Sequence, residues 1–290
     1  MTTNNILLMR AETFVHAGAG SGNGLIDLPI MREAHNNWPV IFGSAVKGAF
    51  RAKASQDIKQ EKQLKNWFGD DSESGNGAGA LMFGDARLLW LPVRSLNSHT
   101  LWVTSPSVLS RFARDMRRMG QEFPNNNYYQ LADDQVVTLY HQPNTQLILE
   151  DYCLNIIPKE GHEDIYLWLE ELKNQIAEMT KPAAQEGALL VQETAQKLVM
   201  VSDTVFTHLC TMATPVTPHV KLEPQTKANH SLWYVETLPP ETMLYSTLIY
   251  TQRLTDQAQL NHLLKDYIQI GGNETTGMGW FELYHQAFKN

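Results

Sequence analysis

Cysteine is nearly absent from this chain: Cys153 and Cys210 are the only two in 290 residues, they lie far apart, and they form no C-x-x-C. A disulfide framework and a cysteine-built zinc site are therefore not indicated. Ten histidines are scattered without an H-E-x-x-H pair, which removes the zinc-peptidase pattern. No apolar run reaches the roughly 18 residues that cross a bilayer. The start, Met-Thr-Thr-Asn-Asn, lacks the charged and apolar regions of a signal peptide, so a cytoplasmic location without membrane contact is expected. Neither G-x-G-x-x-G nor G-x-x-x-x-G-K-[ST] occurs, so no nucleotide cofactor is supported. No internal repeat is visible.

What remains is a folded chain with 43% hydrophobic residues, enough for a substantial core, and a net charge of -8. That charge argues against a polyanionic partner until its distribution is read. Residues 87 to 118 hold six arginines (Arg87, Arg94, Arg111, Arg114, Arg117, Arg118) against Asp115 alone, whereas residues 150 to 197 hold ten acids and four lysines. A basic surface able to meet nucleic acid is compatible with this asymmetry, as is an ordinary acidic protein.

The most informative stretch spans residues 13 to 51. Gly18, Gly20, Gly22 and Gly24 alternate with small residues, so the backbone there can approach a ligand through its N-H groups; a mobile connection fits the same run. Asp27 follows on a rigid Asp-Leu-Pro turn. Ser44 reads as the N-cap of a helix whose apolar residues Val46, Ala49 and Phe50 fall at helical spacing. Ser44, Lys47 and Arg51 then share another face, at i, i+3 and i+7. One hydroxyl, two cations and a helix N-terminus together suit a phosphodiester backbone, although a Lys/Arg pair also fits a solvated face.

Elsewhere the pattern predicts a strand over 6–15, a helix over 44–60, and strands over 80–93 broken at Gly84-Asp85. A helix follows, capped by Ser105-Pro106 and stopped by Gly120, then a second over 163–179. Strands near 198–206, 232–236 and 243–252, a helix near 256–267 and a last strand around 279–284 complete the reading. Residues 70–79 and 122–144 read as polar loops. Residues 211–231 read as a projecting hairpin with Glu223-Pro-Gln-Thr at its turn. Strands and helices mix without regular alternation, which gives an α+β fold with antiparallel sheet. A second glycine cluster, Ile270-Gly-Gly-Asn-Glu-Thr-Thr-Gly-Met-Gly-Trp280, precedes the last strand.

These segments together resemble a known family. His16-Ala-Gly-Ala-Gly, Ile26-Asp-Leu-Pro-Ile-Met-Arg-Glu33, Pro39-Val-Ile-Phe-Gly-Ser-Ala-Val-Lys-Gly-Ala-Phe-Arg51, Gly84-Asp-Ala-Arg-Leu-Leu89, Thr104-Ser-Pro106, Leu232-Trp-Tyr-Val-Glu236 and Gly271-Gly-Asn-Glu-Thr-Thr-Gly-Met-Gly279 are similar to the RAMP superfamily of CRISPR proteins. Within it they resemble the fourth, repeated backbone subunit of type III-B Cmr effector complexes, in matching order from residue 6 to about 284.

The resemblance implies a single domain with a ferredoxin-like, RNA-recognition-like palm, a β-hairpin thumb at about 211–231 and an acidic helical insertion at about 150–197. It implies partners: CRISPR RNA, complementary target RNA, further copies of the chain in a helical filament, and other Cmr-type subunits. Guide-backbone contacts fall on Ser44, Lys47 and Arg51 with Gly271, Gly272, Gly277 and Gly279, joined by Gly18 and Gly20 of the first run. Target cleavage at regular intervals falls on Asp27, with Mg2+ or another divalent cation, and with His16 and Glu236 near the cleavage site. A binding-only filament subunit and a stand-alone endoribonuclease that processes CRISPR RNA are the alternatives. Pro218-His219-Val220 stands where the family often has a thumb arginine, and Ser231 replaces a common glycine.

Overall fold

The run Ile6-Leu7-Leu8-Met9 is apolar at every position, the pattern of a strand covered on both faces. In the computed structural model, which describes residues 2–22, 24–70, 77–123, 129–140, 145–181, 184–251 and 257–288, all four side chains are fully buried. They belong to β1 (Thr2–Ala11). The strands after it are β2 (Val40–Ile41), β3 (Leu81–Phe83), β4 (Ala86–Ser95), β5 (His99–Thr104), β6 (Gln135–Thr138), β7 (Gln146–Leu149) and β8 (Tyr152–Ile156). The later ones are β9 (Leu198–Val201), β10 (Val216–Leu222), β11 (Asn229–Glu236), β12 (Met243–Thr251), β13 (Tyr267–Gln269) and β14 (Trp280–Phe288). The helices are α1 (Gly43–Asp57), α2 (Glu61–Phe68), α3 (Pro106–Arg118), α4 (Glu163–Thr180), α5 (Ala184–Lys197), α6 (Asp203–Met212) and α7 (Gln257–Leu263).

Two half-sheets share β4. In one, β13, β14, β1, β12 and β4 follow in order, every pair antiparallel, with β1 held between β12 and β14. In the other, β4, β5, β9, β6, β8 and β7 follow in order, and β7 returns to β4 through Ser95 and Leu149, so this half closes on itself. One hydrophobic cluster runs through both halves, because β4 is buried on both faces at Leu88, Leu89, Trp90 and Leu91. The mixed α+β class read from the sequence is the class observed. Apart from this sheet stands a two-stranded hairpin, β10 with β11, whose outer residues 220–232 are all exposed.

Local chemistry explains the ends of several elements. Ser105 caps α3 from its side chain, Pro106 occupies the first turn, and Gly120 follows at φ 87°. Asp115 of α3 is buried but satisfied: Tyr245 donates to it at 3.0 Å, and Arg87 and Arg118 pair with it at 2.9 and 3.0 Å. A buried carboxylate persists only when its charge is met in this way.

Several expectations need correction: within the stretch 122–144, read as a polar loop, residues 135–138 form β6 with Val136 and Val137 fully buried. The stretch read as one strand over 198–206 ends at Val201, because Ser202 accepts a hydrogen bond from the Val205 amide at 3.1 Å and opens α6. The acidic segment carries two packed helices, α4 and α5, whose Leu169, Leu172, Ile176 and Leu190 are fully buried. The helix read over 256–267 stops at Leu263 and gives way to β13.

The opening of α1 departs from expectation in a way that bears on the site. Its first residue is Gly43, flanked by Phe42 with no side-chain cap, and Ser44 lies exposed one position inside. The cap comes from afar: the Gly43 amide donates to Asp85 Oδ1 at 2.8 Å. A carboxylate already offsets the positive end of this helix. Replacing Asp85 with Ala is expected to lower stability by about 1 kcal/mol, whereas Ser44→Ala stays within about 0.5 kcal/mol, as read by urea unfolding.

Candidate nucleic-acid interface

β11 pairs with β10 along one edge, so the residues between those pairings direct their backbone groups to the other edge. That edge organises the site. The Tyr234 amide donates to Asp27 Oδ2 at 2.7 Å, and the Tyr234 carbonyl accepts from the Leu28 amide at 3.0 Å. Two residues on, the Glu236 amide donates to the Leu28 carbonyl at 3.0 Å and its carbonyl meets His16 Nδ1 at 2.9 Å. Asp27 and His16 are thus anchored one pleat repeat apart, about 7 Å along the strand.

The two anchors differ in exposure. Asp27 is exposed, and its second carboxylate oxygen has no partner among the described residues. His16 is 8% exposed. A carbonyl only accepts, so Nδ1 carries the proton in the neutral ring and Nε2 is left as an acceptor. A Cβ on Gly18 would stand 2.7 Å from that Nε2, so any larger residue there would have to displace the imidazole that the loop folds over.

Glu236 has a different place from the one expected of a residue at the reacting centre. It is 3% exposed, and its carboxylate is taken up by Arg32, by the Thr214 hydroxyl at 2.7 Å and by the Ile30 amide at 3.0 Å. It braces the Asp27 loop against the root of the hairpin.

The two glycine clusters, 250 residues apart in sequence, meet at His16. The Gly272 amide donates to the His16 carbonyl at 2.8 Å, and the Gly279 amide donates to the Phe14 carbonyl at 2.8 Å. Gly271 sits at φ 105°, with its missing Cβ position 2.6 Å from the His16 carbonyl oxygen, so the close approach depends on glycine there. Gly20 and Gly277 face open space, whereas Gly279 is buried against the Ile270 carbonyl. Of the glycines expected to make backbone contacts, Gly18, Gly20, Gly271, Gly272 and Gly277 are exposed.

The helical register of α1 keeps Ser44, Lys47 and Arg51 on one flank, which adjoins the face of the buried Val46, Phe50 and Ala54. The arginine-rich segment does not form a continuous basic strip. Arg87 and Arg118 pair with Asp115, Arg94 with Glu150 and Arg111 with Glu33, which leaves Arg114 and Arg117 without an acidic partner among the described residues. Among those residues no three potential metal ligands converge, and no helix is long and apolar enough to cross a membrane.

The sequence profile of the RAMP superfamily matches residues 8–282. The chain belongs to the RAMP superfamily. The CRISPR system Cmr endoribonuclease Cmr4 of Pyrococcus furiosus is 30% identical over 283 residues, covering 93% of this chain and 92% of its own. The crystal structure of oligomeric Cmr4 from that organism is similar with a TM-score of 0.75 at 26% identity over 99% of both chains. A chain in the cryo-EM structure of the type III-B Cmr-beta bound to cognate target RNA shares the fold, with a TM-score of 0.72 at 17% identity, over 97% of this chain and 96% of that one.

Several residues that shape this RAMP site lie in segments noted above, but their contacts carry no signal at the level of sequence. Tyr234 acts through its backbone amide, Arg32 reaches Glu236 from 204 positions away, and Arg111 forks onto both Glu33 oxygens at 2.7 and 2.8 Å while lying 5.1 Å over the Trp38 ring. Burial pushes the Glu33 carboxyl up, but the hydrogen bonds and charge of Arg111 outweigh it and hold the group below the usual carboxylate range. Because the folded value is depressed, this clasp stabilises above the unfolded pKa and is lost as pH falls through the folded one. The stability gap between wild type and Glu33→Gln should therefore be full at neutral pH and shrink below the usual carboxylate range, as followed by thermal melts across pH. Gly271→Ala should cost about 1–3 kcal/mol through strain, and Gly24→Ala, which meets only open space, less than about 0.5 kcal/mol, both measured by chemical unfolding.

Proposed function

We propose that this chain is an RNA-binding backbone subunit of a type III-B RNA-guided complex, with other copies of itself and other Cmr-type subunits as neighbours, and that it cuts complementary target RNA at Asp27. The observation that carries the reading is the exposed Asp27 carboxylate, fixed at the root of a projecting hairpin and beside joined glycine loops. Similarity to Cmr4 over nearly the whole chain supports it. The half-sheet with β1 between β12 and β14 is read as the ferredoxin-like palm, and the β10–β11 hairpin as the thumb. It begins at Val216, just beyond α6, and runs on to Glu236.

A subunit that repeats along a guide should hold sugar and phosphate and leave base edges free for pairing. The exposed backbone at Gly18, Gly20 and Gly271 and the Ser44, Lys47 and Arg51 flank suit that task, while the Gly272 and Gly277 amides, bonded to the His16 and Glu274 carbonyls, shape the loop. Cleavage then needs the 2'-oxygen in line with phosphorus and the departing 5'-oxygen. The 2'-oxygen attacks as it gives up its proton to solvent water, the P–O5' bond breaks, and the 5'-oxygen takes a proton back from water, so that no net proton is gained or lost. The products are a 2',3'-cyclic phosphate and a 5'-hydroxyl. In this reading the free Asp27 oxygen orients the 2'-hydroxyl. A divalent cation at Asp27 would be a largely hydrated ion, because no group of three potential protein ligands converges among the described residues. When bound it would neutralise developing negative charge. His16, held by Glu236, positions the loop bearing Gly18.

One observation favours a second reading. The bond from Tyr234 to Asp27 also ties the loop to the hairpin, which is what a bracing aspartate in a binding-only subunit would do. Asparagine keeps an acceptor for that amide but removes the charge, so it separates the two. In the assembled complex with guide RNA, Asp27→Asn should slow target cutting by about a hundredfold or more with target binding unchanged. If Asp27→Asn cuts normally and only Asp27→Ala fails, Asp27 is a brace. Chelation should stop cutting by the wild-type complex. Cutting of repeat RNA by the isolated chain in chelator would instead identify a processing enzyme.

A further inference from the structure

Beside the glycine loop, α1 turns a face of small residues, Ala45, Gly48, Ala49 and Ala52, toward an open cavity of about 480 Å³. This face is neither the buried one nor the Ser44, Lys47 and Arg51 flank. Opposite stand Tyr267 and Trp280, which remain 49% and 41% exposed despite lining the cavity. Their strands are paired so that Gln269 lies opposite Trp280 and Tyr267 opposite Glu282, which puts both rings on the same side of the ladder. Small residues on one wall and two rings on the other leave a slot that the chain does not fill with its own side chains.

The lining tells what would fill it. Lys53, the cation on the lining, is committed to the Lys265 carbonyl at 2.7 Å, and Glu274 stands on the same lining, so a phosphate gains little here. The polar groups are Gln56, Glu274 and Gln269, whose Nε2 is held by the Gly271 and Met278 carbonyls at 3.0 and 3.2 Å, which leaves its Oε1 with Gln56 and Glu274 as groups of the kind that meet a base edge. Gly271 forms part of the lining, so the slot opens onto the same loop that meets His16. A flat, uncharged ring with polar edges, carried on a strand that follows the glycine loop, matches this chemistry.

We propose that the slot between α1 and Tyr267/Trp280 receives one unpaired nucleobase of the bound RNA, stacked on the aromatic rings and accepted with little regard to its identity. The proposal rests on the RNA-binding reading above, while its test separates the two. The probes are a single-stranded oligoribonucleotide containing 5-iodouridine and an abasic strand of equal length, each bound to the full chain. Light-induced crosslinks should map to Tyr267 or Trp280. Trp280→Ala should weaken binding of the base-containing strand by about tenfold, as for loss of one stacked base, and leave the abasic strand unaffected. Trp280→Phe should restore most of the difference.

Gly48→Leu provides a second route that leaves the aromatic rings intact: its new side chain enters from the α1 wall, where a Cβ meets nothing within 4 Å, and the same selective loss is expected. Equal weakening of both strands by these variants, or crosslinks only at other residues, overturns the slot. Unchanged discrimination together with a changed particle size assigns the surface to contact between copies and also overturns it. If neither strand binds wild type, the RNA-binding reading itself fails; if both bind wild type equally well, only the slot does.

Discussion

The outer edge of β11 is the constraint on which the site depends. A strand edge presents unpaired amides and carbonyls that must find partners. Here they find Asp27, Leu28 and His16 in turn, so satisfying the backbone of the hairpin root also sets the positions of two side chains drawn from a long loop. Glu236 locks the arrangement from beneath, since its buried carboxylate binds Arg32, Thr214 and the Ile30 amide at once. An exposed acid at the foot of a projecting hairpin is therefore a rigid feature rather than the tip of a mobile loop.

Charge in this molecule is spent mostly on structure. Four of the six arginines between residues 87 and 118 meet carboxylates within the fold, and Asp85 serves the first helix. A chain of net charge -8 with few uncommitted cations in that segment has limited means of holding RNA by charge alone. Exposed glycine backbone and aromatic rings offer contacts that do not need net positive charge, which is consistent with the proposed reading of the glycine loops and of the slot beside them.

Much of the architecture was legible because the signals were local. Ser105-Pro106 and Gly120 bound a helix by their own chemistry, and the Gly84-Asp85 break in a run of apolar residues is where β3 ends and β4 begins. The hairpin was legible from its turn, where Glu223 and Ala228 close the loop with a 2.9 Å bond. Ser202 shows how a local signal can be missed: apolar residues on both sides disguised a cap as the middle of a strand. Ser44 shows the opposite error, since a good capping residue sat beside a helix start that a distant aspartate had already satisfied.

By itself the sequence determined the α+β class, many of the longer elements, the family resemblance and the residues worth watching, because propensity, periodicity and motif order are written in neighbouring positions. Only the tertiary structure decided which of those residues meet. Asp27 and Tyr234 are 207 positions apart, and His16 and Gly272 are farther still, so their contacts arise from strand pairing across the whole chain. The same pairing took Glu236 out of solvent and left Asp27 in it, a distinction between two acids that burial and hydrogen bonding make and that residue type does not.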